Sequence, residues 1–81
     1  MTTQVKNKVV YLLAATKRVA EDVARKENLL FNEWRYIYDE HNVRGVRDIT
    51  VWLCPGYRQR KDLDRLMIEI RVRNPTFVHK S

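Results

Sequence analysis

An almost unbroken apolar run, Val9-Val10-Tyr11-Leu12-Leu13-Ala14-Ala15, stops abruptly at Thr16-Lys17-Arg18. The same change recurs where Ile49-Thr50-Val51-Trp52-Leu53-Cys54 meets Pro55-Gly56. Short apolar runs with β-branched and aromatic members read as strands buried on both faces. After each run the spacing becomes helical: Val19, Ala20, Val23 and Ala24 in the first case, Leu63, Leu66, Met67 and Ile70 in the second. Two strand-turn-helix units in 81 residues leave room for one α/β domain and no second core. A body of this size buries only about 60% of the surface its unfolded chain exposes, so its stability is modest and a partner could matter.

Between the units, Trp34-Arg35-Tyr36-Ile37-Tyr38 is aromatic-rich and strand-like, and Val43-Arg44-Gly45-Val46-Arg47-Asp48 reads as a turn. The expected architecture is a β-α-β-β-α domain over residues 1–75. Its three-stranded sheet, with the first two strands parallel, packs against two helices, and 76–81 follow as a flexible C-terminal tail. The first helix is expected from Lys17 to about Leu30 with Thr16 as N-cap, and the second from Arg58 to about Arg73. A rival for the last stretch is a strand, because Ile68-Glu69-Ile70-Arg71-Val72-Arg73 also alternates. The direction of the third strand stays open. Fewer residues separate Tyr38 from Ile49 than a parallel crossover normally uses, yet only a parallel third strand brings both helix openings to one sheet edge.

That edge matters because a helix opening already carries partial positive charge and unpaired N–H groups. Cations there are mildly unfavourable unless an anion visits. Here both openings are basic, Lys17 and Arg18 in the first and Arg58, Arg60 and Lys61 in the second. The turn adds Arg44 and Arg47, and the formal net charge is +6. These seven residues are the expected contacts to nucleic-acid phosphates, with DNA or RNA as partner. Much of the charge can also be explained by i,i+4 pairing on solvated helix faces, as in Lys17-Glu21, Arg18-Asp22, Arg58-Asp62, Arg60-Asp64 and Arg65-Glu69. Lys6, Lys8, Arg35, Arg44, Arg47 and Arg71 lack such neighbours and are therefore the more telling cations.

The aromatics support a second reading. Trp34, Tyr36 and Trp52 pack under the helices in the plainer account. Beside the basic turn Arg44-Gly45-Val46-Arg47 they and Tyr38, if exposed, would stack nucleic-acid bases. On a sheet with one open face they would form a partner-binding surface. The partner would be an acidic or apolar protein surface, or a second copy in a homodimer. The small basic chain is compatible with an accessory protein of a phage or mobile element.

Enzymatic readings are weaker. With two glycines in all, Gly45 and Gly56, no glycine-rich phosphate cradle can be built. Tyr36-Ile37-Tyr38-Asp39-Glu40 resembles the magnesium-facing segment of P-loop ATPases, over this one strand only, and without the P-loop the resemblance implies no ATP hydrolysis. Asp39, Glu40 and His41 read as a solvated turn ending the strand, since neighbours on a strand point to opposite faces. His79 reads as an incidental surface residue. Cys54, the only cysteine, permits no internal disulfide and reads as packing before a nucleophile. No catalytic residue, metal or cofactor is expected. No apolar stretch approaches the ~20 residues that span a bilayer, so the expectation is a cytoplasmic protein without a membrane partner.

Overall fold

A computed structural model describes residues 9–80 of the chain. Lys6 and Lys8 lie outside them. Strand β1 (Val10–Leu13) leads to helix α1 (Lys17–Lys26) and strand β2 (Trp34–Tyr36). Strand β3 (Thr50–Leu53), helix α2 (Leu63–Arg71) and strand β4 (Thr76–His79) follow. The four strands form one sheet in the order β2-β1-β3-β4, and every neighbouring pair is parallel. The α/β class is as expected, but the sheet has a fourth strand in the segment read as a tail. Thr76-Phe77-Val78-His79 is too short to stand out as a period-2 pattern, yet Phe77 packs on the α2-side core and the Thr76 N–H donates to the Ile49 carbonyl at 2.8 Å.

β1 is continuous in apolar residues because it is central. Leu12 belongs to the cluster under α1 and Leu13 to the cluster under α2. Both are fully buried. Helix α1 starts where the Thr16 hydroxyl accepts the Val19 N–H at 3.3 Å, and it turns Ala20, Val23 and Ala24 to the sheet. It stops at Lys26, short of Leu30, because Asn28 takes a left-handed conformation at φ 60°. The Leu29 N–H then reaches the Ala24 carbonyl and the Asn28 N–H that of Arg25. This is a Schellman closure, with Leu29 and Ala24 supplying its apolar contact.

The third strand runs parallel to β1 despite its short connection. β2 ends at Tyr36 and β3 begins at Thr50, so residues 37–49 are free to cross, and a single 3₁₀ turn at Glu40–Val43 replaces a full helix. Val43 is buried in the α2-side core. A capping box fixes this turn. The Asp39 carboxylate accepts the His41 N–H at 2.9 Å, while the Asn42 amide oxygen accepts the N–H groups of Tyr38 and Asp39 at 2.8 and 2.9 Å. Asp39 and Asn42 thus act as capping residues, and the His41 N–H is one of the groups they satisfy.

From β1 the chain moves outward to β2 with α1 on one face, then returns across β1 to β3 and on to β4 with the turn and α2 on the other face. Reversing both direction and face keeps every crossover of one hand. The winding reverses between β1 and β3, and in open α/β sheets the carboxyl ends of the strands at such a switch point are where ligands bind.

The second helix begins later than its apolar stripe suggested. Gly56, at φ 81°, turns the chain into a 3₁₀ segment at Tyr57–Gln59, and Arg60 is extended before α2 starts at Leu63. Leu66 and Ile70 are its fully buried positions. The helix reaches Arg71, so the rival strand reading of residues 67–73 does not hold, and Asn74 at φ 54° turns the chain into β4.

Candidate nucleic-acid interface

The parallel third strand brings both helix openings to the carboxyl edge of the sheet. The Cys54 N–H donates to the Leu13 carbonyl at 2.9 Å, and a Cβ placed on Gly56 would lie 3.6 Å from the Ala15 Cβ, so the two post-strand turns abut. On one side stand Lys17 and Arg18, both exposed at the front of α1. No acidic residue occupies the first turn of that helix. On the other side Arg58 lies over the Tyr57 ring at 5.8 Å and donates to its hydroxyl at 3.2 Å. That hydrogen bond raises its pKa, and the guanidinium is charged at any working pH. Lys61 is exposed two residues before α2.

Local ion pairing explains less of this charge than the spacing implied. Among the described residues the carboxylate-guanidinium pairs are Arg25–Asp22, Arg44–Glu40, Arg60–Asp62 and Arg73–Glu69, and Lys80 pairs with Glu27. Lys17, Arg18, Arg58 and Lys61 have no carboxylate within 4.0 Å among the described residues. The anticipated pairs Arg58–Asp62 and Arg60–Asp64 do not form, because the helix that would have aligned them starts only at Leu63.

Arg60 has a different role from its neighbours. Its side chain is only 8% exposed. Nε and Nη2 grip the Asp62 carboxylate at 3.0 Å each. Nη1 donates to the Ala14 carbonyl at 3.3 Å and to that of Ile37, and Nη2 also donates to Tyr38 at 2.6 Å. A guanidinium has five N–H donors, and all five are occupied. The group also lies 5.6 Å from the centre of the Tyr36 ring. Arg60 therefore ties the carboxyl ends of β1 and β2 together and has no donor left for a phosphate.

Arg44 is paired with a carboxylate, and Arg47 does not join the switch-point group. Arg44 follows the 3₁₀ turn and faces Glu40 at 3.5 Å. Arg47 is exposed just before β3, at the amino edge of the sheet, where it lines a shallow hollow with Val9, Tyr11 and Thr50. Trp34, Tyr36 and Trp52 are half-buried on the α1 side. The Lys80 ammonium sits 4.3 Å from the Trp52 ring.

Two aromatics are strongly exposed, Phe31 at 87%, which escaped the sequence reading, and Tyr38 at 71%, which follows the end of β2. With Trp34 and Tyr36 they line a groove between α1 and β2, whose walls also carry Lys17, Glu21, Arg35 and Asn42. An aromatic within the loop Leu30-Phe31-Asn32 was the available signal for Phe31.

Cys54 is buried and its thiol faces the Trp52 carbonyl at 3.7 Å. Burial pushes its pKa from the ordinary 9.0 up to about 11. A thiol reagent at pH 8 is therefore expected to leave Cys54 unmodified until the protein unfolds. The folded state holds this proton more tightly than the unfolded one, so its contribution to stability is complete below about pH 9 and is lost as pH rises towards 11. Urea midpoints measured across that window should fall more for the parent than for Cys54→Ala.

Among the described residues no group of three or more His, Cys, Asp and Glu side chains could hold a metal ion, and no helix is long and apolar enough to cross a membrane. In comparisons with known proteins, the chain matches no family model, no curated protein and no solved structure.

Proposed function

We propose that this protein is a small non-enzymatic binding module that holds nucleic-acid phosphates at the carboxyl edge of its sheet. The observation that carries the reading is the meeting of two basic turns, Lys17-Arg18 and Arg58 with Lys61, at the β1/β3 switch point, with none of the four cations facing a carboxylate among the described residues. The free N–H groups opening α1 add to the same positive field. Arg60 belongs to the scaffold of this edge, and Arg47 lies outside it.

A salt titration tests the reading. Binding of a labelled oligonucleotide, followed by anisotropy between 50 and 200 mM salt, should weaken with a log-log slope of about −0.7 to −0.9 per phosphate neutralised. Absence of binding at low salt would dispose of it. The second reading, a module for an acidic or apolar protein surface or for a second copy, draws on the half-buried Trp52 and the adjacent Val78 on the α1 side of the sheet. It predicts a concentration-dependent mass in solution that Trp52→Gln abolishes.

A further inference from the structure

We infer that the groove between α1 and β2 takes the unpaired bases of a single-stranded nucleic acid, a proposal that rests on the phosphate-binding reading above and narrows its ligand. Four aromatic rings, those of Phe31, Trp34, Tyr36 and Tyr38, line this one groove. Trp34 and Tyr36 are held in place by packing against the α1-side core, and Arg60 fixes Tyr36 further. Phe31 and Tyr38 flank them largely in water, which an apolar or aromatic side chain adopts at a cost unless something covers it.

The occupant follows from charge as well as shape. Lys17 stands in the groove wall and belongs to the phosphate-binding edge, so a strand held there at its backbone leads directly into the groove. Arg35 lines the groove too, and its guanidinium makes a single long contact, 3.4 Å, to the Trp34 carbonyl. Aromatic rings flanked by cations suit a polyanion whose bases present flat π-faces, whereas the bases of a duplex are already stacked on one another. Trp34 and Tyr36 stand about 7 Å apart along β2 at ~3.3 Å per strand residue, and the chain then bends, the Tyr38 N–H donating to the Tyr36 carbonyl at 3.1 Å. Glu21 is the one acidic side chain in the wall, and it opposes a phosphate passing α1.

The test compares an unstructured oligothymidine with a duplex of the same length at one salt concentration. The parent should bind the single strand more tightly and show quenched tryptophan fluorescence, retained in Trp52→Phe because Trp34 is the groove tryptophan. Phe31→Ala and Tyr38→Ala, both at exposed positions that leave the core intact, should each weaken oligothymidine binding by about 5- to 150-fold, the range of one lost stacking contact, and leave duplex binding unchanged. Glu21→Gln should strengthen it. Equal affinity for both ligands with no effect of either aromatic substitution would overturn the groove proposal and leave the phosphate reading standing. Loss of binding to both ligands in the parent would sink the two together. Capture of polyglutamate by the parent but not by Phe31→Ala, without binding to oligothymidine, would overturn the proposal in favour of an acidic protein occupant.

Discussion

Replacing Arg60 by alanine should destabilise the domain by about 2–4 kcal/mol. This is below the ~3–5 kcal/mol of a fully buried pair because the guanidinium is 8% exposed but Asp62 is 37% exposed and regains water when its cation is removed. The substitution leaves more than Asp62 without its cation. It also strips donors from the Ala14, Ile37 and Tyr38 carbonyls, which lie just past the ends of β1 and β2 and have Arg60 as a shared partner. An unsatisfied polar group of this kind costs about 1–3 kcal/mol where it stays dry. Domains of this class have roughly 5–15 kcal/mol in total, so a large share of the folded state's margin depends on one side chain. Thermal unfolding followed by circular dichroism should show Tm lower by roughly 8–32 °C, at ~4–8 °C per kcal/mol for a body this small. Lysine is expected to recover little, because an ammonium cannot reproduce a planar fork that serves a carboxylate and three carbonyls. The neighbouring Arg58→Ala, on an exposed side chain, should stay within about 0.5 kcal/mol of the parent. Equal effects at positions 58 and 60 would refute the structural role of Arg60.

In the sequence, these two arginines are indistinguishable. Both fall in the run Gly56-Tyr57-Arg58-Gln59-Arg60-Lys61, and the helical template assigned each a local carboxylate four residues on. What separates them is tertiary: Arg60 is extended, lies within reach of two strand ends, and pairs at i,i+2 with Asp62. Features that were legible depend on local chemistry. The continuous apolar runs marked the central strands, Thr16 marked the start of α1, and the burial of Cys54 followed from its place at the end of a core strand. The direction of β3 was not legible, because an apolar strand looks the same whichever way its neighbour runs. β4 was missed because its four residues follow a left-handed turn at Asn74 and gain their stability from pairing with β3 far back in the chain, with Thr76 and Lys80 at its two ends donating to the Ile49 and Leu53 carbonyls.

The basic opening of α1 separates binding from folding by the sign of its effects. A helix dipole favours acidic side chains in the first turn by about 0.3–1 kcal/mol each, and α1 has Lys17 and Arg18 there instead. Lys17→Glu with Arg18→Glu should therefore fold at least as stably as the parent, with an unchanged or higher urea midpoint. The same pair should lower affinity for nucleic acid at 50 mM salt by 100-fold or more, since two phosphate contacts become repulsions. Neutral replacements give a finer measurement. Lys17→Gln, Arg18→Gln and Arg58→Gln should each reduce the salt slope by about 0.9 on duplex or about 0.7 on a single strand. Arg47→Gln removes the same charge from the opposite sheet edge and should leave the slope as it was, whereas a field due only to the net charge would respond equally to all four. A variant with two acidic residues opening α1 that gains stability and still binds as the parent does would mean that no anion is held at this edge.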